Sequence, residues 1–158
     1  MTFFIHSKKF GRHEVIIDDE DWVKIKKFTW YILYNKNKNR SVKCVSTNDR
    51  EGNIKLHKLV TGYKLTDHIN GNPLDNRKSN LRDCSHAENM RNRGLHANNS
   101  SGFKGVSFHI KSNKFQVNIR IGGKPIYLGL YTHVKDAARA YNKAALKYHG
   151  EFARLNII

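Results

Sequence analysis

Four residues in the middle of the chain, Asp67, His68, Asn80 and Asn89, have side chains suited to hydrolysis of a phosphate ester if the fold brings them together. The carboxylate of Asp67 and the amide carbonyl of Asn89 are hard oxygen donors. Two such ligands, completed by waters and a phosphate oxygen, suit Mg2+ or Mn2+. On a strand, His68 points to the face opposite its neighbour Asp67. Its neutral imidazole near pH 7 is a candidate general base, able to take a proton from an attacking water while the cation neutralises charge on the phosphate and the leaving 3′ oxygen. Singly these residues say little, because a histidine beside an aspartate is usually a surface pair.

The surrounding segment can place them. Tyr63 to Ile69 reads as a strand, Asn70-Gly-Asn-Pro73 opens a loop, and Asn80 to Cys84 reads as a second strand. Ser85-x-x-Glu88 is a capping box that starts a helix. With Ser85 as N-cap, Asn89 falls one turn into that helix, where it can face the end of the strand carrying Asp67 and His68. His86, on the same helix, is a weaker candidate for the metal shell, and His57 a weaker one for phosphate contact. Arg77, Arg82, Arg91 and Arg93 suit contacts to a nucleic-acid backbone better than chemistry.

The run Asp67-His-Ile-Asn-Gly-Asn72, then Asn76-Arg-Lys-Ser-Asn-Leu-Arg82, then Glu88-Asn89 closely resembles the HNH endonucleases of the ββα-metal class, especially their small phage and intron-borne homing members. The resemblance implies a metal-dependent DNA endonuclease that hydrolyses a phosphodiester and leaves a 5′ phosphate. It gives His68 the role of general base, Asp67 and Asn89 that of holding the divalent cation, and Asn80 that of bracing the loop. One variant of the family is stapled by zinc through cysteine pairs. This chain has only Cys44 and Cys84, with no Cys-x-x-Cys pair, so neither a structural zinc nor a disulfide framework is expected, and both thiols read as small buried residues. Support for the motif must come from packing against the N-terminal segment.

That segment, residues 1–55, mixes β-type runs such as Glu14 to Ile17 and Phe28 to Tyr34 with turns, including Asn35 to Asn39. The acidic cluster Asp18 to Asp21 reads as the start of a short helix reaching Lys27 rather than as a metal site. After the motif, Gly94 to Ser101 has the small polar composition of a linker. Beyond it, three runs read as an antiparallel meander: Phe103 to Ile110, Phe115 to Ile121, and Ile126 to Tyr131. Phe115, Val117, Ile119 and Ile121 share one face, and Ile126, Leu128 and Leu130 are expected to do likewise. Thr132 offers an N-cap. The helix that follows carries Val134, Ala137, Ala138, Tyr141, Ala144, Ala145 and Tyr148 on an apolar stripe until Gly150. The other sheet face stays polar.

Gly102-Phe-Lys-Gly-Val106, Lys114 to Arg120, Ile126-Tyr-Leu-Gly129, Ala137 to Ala145 and Ala153-Arg-Leu-Asn156 resemble the Apetala-two/ethylene-response-factor DNA-binding domain. The resemblance implies a three-stranded sheet laid in the major groove, with Lys104, Ser107, His109, Lys111, Asn118, Arg120 and Tyr127 at the positions that meet DNA.

The expected organisation is α+β. A β-rich segment (1–55) packs on a ββα-metal motif (56–93), and a linker (94–101) leads to a DNA-binding module of three strands and one helix (102–158). Double-stranded DNA is the expected partner. One active centre per chain suggests a monomer that cuts one strand per engagement, with two encounters or a dimer as the routes to double-strand breaks. The rival readings are a non-catalytic DNA-binding regulator on an HNH scaffold and a structure-selective or RNA-directed nuclease. Composition fits a globular chain, 39% hydrophobic and 27% charged, with no apolar run of membrane-spanning length and no signal-peptide pattern, so a cytoplasmic address is expected. Its net charge of +16 favours a polyanion. The excess is heaviest in residues 102–158, where ten Lys and Arg face two acidic residues. Duplex affinity is therefore expected to fall steeply as salt rises from low to physiological concentration, read as the slope of log K against log salt. A flat slope would make apolar contacts dominant.

Overall fold

The computed structural model describes residues 1–8, 10–35, 41–49 and 52–158. Of the turn expected at 35–39, residues 36–39 lie outside the described residues. The chain divides into two compact units, Met1–His86 and Ala87–Ile158. Both combine helices with small antiparallel sheets, an α+β architecture.

In the first unit, β1 (Thr2–Ser7) and β2 (Gly11–Ile16) form a hairpin, paired from Thr2↔Ile16 to Ser7↔Gly11. A three-stranded sheet follows, in the order β3 (Tyr31–Tyr34), β4 (Val42–Asp49), β5 (Gly52–Lys55). A 3₁₀ turn at Asp19–Asp21 leads into the single turn of α1 (Trp22–Ile25). This is shorter than the helix expected up to Lys27. The helix α2 (Leu56–Thr61) was not foreseen, because six residues give too little periodicity to register. Its Leu56 and Val60 are buried, and Gly62 ends it in the left-handed conformation at φ 75°. The strand expected over 63–69 contracts to β6 (Thr66–His68), paired with β7 (Leu81–Asp83). Leu81 joins Ile5, Val15, Ile17, Ile25, Ile32, Val45, Leu56 and Val60 in one core, so β7 is seated on the N-terminal segment.

The acidic cluster does more than start a turn. Asp18 Oδ2 accepts the amide of Lys78 at 2.7 Å. The Lys78 ammonium pairs with Glu20 and, at 3.3 Å, with the fully buried Asp21. Ile16 exchanges backbone bonds with Leu74 and Asn76, at 2.9 and 2.8 Å. The end of β2 and the residues after it therefore hold the loop that joins β6 to β7. Cys44 is buried, whereas Cys84 is only half-buried.

The second unit holds α3 (His86–Asn92) from its second residue onward, together with β8 (Val106–His109), β9 (Lys114–Ile121), β10 (Lys124–Tyr131) and α4 (Val134–His149). Sheet order is β10-β9-β8. The core joins Val106, Val117 and Ile119 to Ala137, Tyr141, Ala144 and Ala145. Three sequence expectations change here. The N-cap of α4 is His133, not Thr132, with no side-chain cap bond. Tyr148 is exposed, and His149 is buried in its place, its Nε2 lying 3.0 Å from the Arg120 carbonyl oxygen. The alternation expected for Ile126, Leu128 and Leu130 fails because the register of β10 shifts between Tyr127 and Gly129. Leu128 is the bulged residue. Ile126 lies opposite core-facing Ile119 on an exposed edge, while Leu130 lies opposite Gln116 on the polar face.

Among the described residues, no helix is long and apolar enough to cross a membrane. Gly105 is fixed by both backbone and packing. Its φ is 76°, and a Cβ there would overlap the Tyr141 ring and press on the Asn118 carbonyl oxygen at 2.8 Å. Gly105→Ala is expected to destabilise the second unit by about 2–4 kcal/mol, combining left-handed strain with overpacking. Urea denaturation checks this, and a loss well under 1 kcal/mol would mean that Tyr141 moves aside freely.

Candidate functional site

The ladder between β6 and β7 sets Asp67 opposite Arg82 and His68 opposite Leu81. Asp67 is only 4% exposed, and its Oδ2 accepts two bonds from Arg82, from Nε at 2.9 Å and from Nη2 at 2.7 Å. A buried carboxylate needs such a charged partner.

Between the strands, the chain runs through a loop rich in Asn and Asp. The Asn70 and Asn72 side chains accept the amides of Asn72 and Leu74, making two successive Asx turns. Gly71, at φ 74°, lets the chain double back so that its amide reaches the His68 carbonyl at 2.8 Å. The buried Asn80 carboxamide crosses the loop. It accepts the Asn70 amide at 3.0 Å and donates to Asn70 Oδ1 at 3.1 Å and the Asp75 carbonyl at 2.8 Å. Asp75, also buried, takes both Nε and Nη2 of Arg77, at 2.8 and 2.7 Å. The Arg77 bonds hold the Asp75 carboxyl below the ordinary carboxylate range against the opposing effect of burial.

His68 faces two residues whose part sequence reasoning did not identify. Its Nε2 lies 3.4 Å from Oδ1 of the fully buried Asn76. Asn76 uses its amide nitrogen on the Pro73 carbonyl at 3.3 Å, which turns Oδ1 towards the imidazole. An imidazole that donates from Nε2 carries its basic lone pair on Nδ1. The ring of His57, on α2, stands edge-on to that of His68 with centroids 5.2 Å apart. His57 is buried, and no hydrogen-bond partner of its Nδ1 is found among the described residues. Burial first, then the neighbouring His68, pushes its pKa down to about 3. Burial also lowers that of His68, against the raising effects of Asn76, Asp67 and Asp75. Both rings are therefore held neutral near pH 7. The clue in the sequence was the density of amides between Asn70 and Asn80, but no spacing rule says which of them meets a ring.

Asn89 is half-buried on α3, and His86 is exposed at the first residue of that helix. Arg91 lies on the same helix and the exposed Arg93 just beyond it. Among the described residues no grouping of three or more His, Cys, Asp or Glu could hold a metal ion. The Asp67 carboxylate is by its chemistry a hard oxygen donor, the kind a hard cation prefers.

In the second unit, pairing of Ser107 with Gln116 and of Tyr127 with Asn118 puts these side chains, with His109 and Arg120, on the sheet face away from α4. Ser107, Arg120 and Tyr127 are exposed, Asn118 is half-buried, and His109 Nδ1 is 2.8 Å from Ser112 Oγ. Lys111 is exposed in the 3₁₀ turn Ile110–Ser112, off the sheet. The Lys104 ammonium is turned inward onto the carbonyls of Arg91 and Arg93.

Residues 64–91 match the family model described as HNH endonuclease. The chain is 32% identical over 96 residues to Protein 3.8 of Escherichia phage T7, covering 61% of this chain and 78% of that protein. The chain belongs to the Protein 3.8 family. It is also 37% identical over 59 residues to the AP2-like ethylene-responsive transcription factor TOE2 of Arabidopsis thaliana, and 39% over 57 residues to APETALA2-like protein 2 of Oryza sativa subsp. indica. These stretches are 37% and 36% of this chain, which spans only 12% and 13% of the two plant proteins. No solved structure matches. This member of the Protein 3.8 family thus combines an HNH endonuclease segment with likeness to plant AP2-type proteins.

The paired imidazoles make stability depend on pH. With its pKa near 3 folded and 6.5 unfolded, His57 binds a proton more readily in the unfolded chain between these values. Its contribution is thus present above pH 6.5 and lost as pH falls towards 3, by at most about 1.4 kcal/mol per pH unit. Urea denaturation at pH 7.5 and 5.0 is expected to show a larger loss for the wild type than for His57→Gln. Equal losses would remove His57 as a source.

Proposed function

We propose that the protein is a metal-dependent DNA endonuclease of the HNH homing type, with His68 as general base and one Mg2+ or Mn2+ held by Asp67 and Asn89. The reading is carried by the HNH endonuclease match over residues 64–91, a span containing Asp67, His68, Asn80 and Asn89. Residues 56–93 form the nuclease motif in this proposal, supported by residues 1–55. A linker at 94–101 precedes a duplex-reading module at 102–158, whose sheet face carries Ser107, His109, Asn118, Arg120 and Tyr127.

The residues divide the work as follows. Asn76 holds the His68 ring by Nε2, so that Nδ1 takes the proton of the attacking water. Arg82 orients the Asp67 carboxylate and offsets its burial. Asn80 and Asp75 keep the loop, and with it His68, in one conformation. A bound cation supplies charge neutralisation on the phosphate and the leaving oxygen. Arg77, Arg91 and Arg93 hold backbone phosphates.

Cleavage of duplex DNA with Mg2+ or Mn2+, abolished by a chelator, tests the proposal. His68→Ala is expected to lower single-turnover cleavage by at least about 10²-fold while duplex affinity stays within a few fold. Asp67→Ala and Asn89→Ala should also lose activity, with partial recovery at best in raised metal. A wild type that binds duplex DNA but cleaves neither duplex, single strand nor RNA would make the chain a DNA-binding regulator. Unchanged cleavage in His68→Ala would remove it as the base.

A further inference from the structure

We propose that Lys104 is a positioning residue for the nuclease helix: it clamps the last turn of α3, which carries Asn89, onto the sheet-and-helix module at the C-terminal end. This rests on the reading of Asn89 as a metal ligand. It gives Lys104 a different task from the phosphate contact that its place in the module suggests.

A seven-residue helix ends in carbonyls with no partner inside the helix, and a cation is the natural group to meet them. The Lys104 ammonium donates to the carbonyls of Arg91, in the last turn, and of Arg93 just beyond it, the second at 2.6 Å. The backbone of Lys104 is itself pinned. Its amide donates to Asn156 Oδ1 at 2.6 Å, and its carbonyl accepts Asn156 Nδ2 at 3.1 Å. Asn156 is bracketed in turn by Asn142 of α4, which donates to the Asn156 carbonyl at 2.9 Å and accepts the Asn156 amide at 2.8 Å. An unbroken series of hydrogen bonds thus runs from the middle of α4, through Asn156 and Lys104, to the end of α3.

The environment fits a clamp better than a contact for DNA. Burial, with Arg154 and Arg93 nearby, pulls the Lys104 pKa down to about 8. A lysine that waits for phosphate keeps its ammonium in water, whereas this one is half-buried and directed at carbonyls. The intervening chain is tied at its far end as well: Asn99 donates to the Phe103 carbonyl at 2.9 Å, and Ser101 Oγ donates to that of Val106 at 2.8 Å. Lys104 closes the loop from Arg93 to itself. What reads in sequence as a linker is, at Asn99 and Ser101, part of the module's own framework.

The full-length chain with Lys104→Met, which keeps the aliphatic stem and removes the donors, tests this beside Lys104→Arg. At saturating duplex, Lys104→Met is expected to lower single-turnover cleavage by about 10–100-fold, as loss of an outer support for a metal ligand does. Duplex Kd should stay within about twofold and the salt slope unchanged, while Lys104→Arg restores most of the rate, since it keeps charge-assisted donors. Amide exchange in the same samples should show residues 88–92 exposed while β9 and α4 stay protected, which separates release of α3 from unfolding. The proposal is overturned if Lys104→Met weakens binding and lowers the salt slope by about one with cleavage at saturation intact, because Lys104 is then a phosphate contact. Unchanged α3 exchange overturns it too. A wild type without cleavage on any nucleic acid sinks the nuclease reading, and the exchange measurement still decides the clamp.

Discussion

Between β6 and β7 the chain makes a long excursion with few apolar residues to bury, and amide side chains hold it in place. Asn70, Asn72, Asp75, Asn76 and Asn80 bond to the loop's backbone, to each other or to Arg77. A buried polar group left unpaired costs about 1–3 kcal/mol, so such a network is stable only when nearly complete. The position of His68 follows from it, because Asn76 can present its oxygen to the ring only while its nitrogen is engaged by Pro73. The N-terminal segment contributes at the same place: the acidic residues after β2 grip Lys78, and the end of β2 is bonded to Leu74 and Asn76. The hairpin and the small sheets thus act as a foundation for one loop.

Charge is handled differently in the two units. In the first, buried Asp67, Asp75 and Asp21 each have a basic partner, and two neutral imidazoles lie against each other. In the second, acidic residues are scarce, and beyond the pair of Arg139 with Asp136 some basic residues turn to other acceptors. Lys104 finds helix-end carbonyls, and Arg120 donates to the Gly123 carbonyl at 3.3 Å. The local shortage of acids that makes this half attractive to a polyanion also makes backbone oxygens its internal counterweight.

The sequence made the larger elements legible where periodicity was long or chemistry local. The sixteen-residue α4 and the strand β9 follow their apolar spacing, and the Ser85 capping box precedes a helix that begins at His86. Short elements were not legible: α2 has six residues and β6 three, too few for a pattern to emerge. Local motifs also failed where tertiary contacts decide. Thr132 is the better intrinsic cap, yet α4 starts after His133. His149 is a poorer apolar residue than Tyr148, yet it is inside because the Arg120 carbonyl meets its ring. At the candidate site, residue types pointed to Asp67, His68, Asn80 and Asn89, but not to Asn76, and to His57 only as a phosphate contact, whereas its buried ring lies against His68; these parts depend on side chains meeting across the fold.

The bulge at Leu128 has a further consequence. Tyr131 donates its hydroxyl to the Leu128 carbonyl at 3.1 Å, so the extra residue is held in place within the strand. The halves of β10 on either side of it are out of phase: Tyr127 faces away from the core before the bulge, and Leu130, rather than Gly129, does so after it. Counting by twos along this strand therefore assigns its last residues to the wrong side. Two related chains that differ by a single inserted residue here would keep the same strands and the same helix, yet offer different side chains to whatever lies on the sheet. Length variation at this one point therefore changes which of the strand's last residues face the polar side and which face the core.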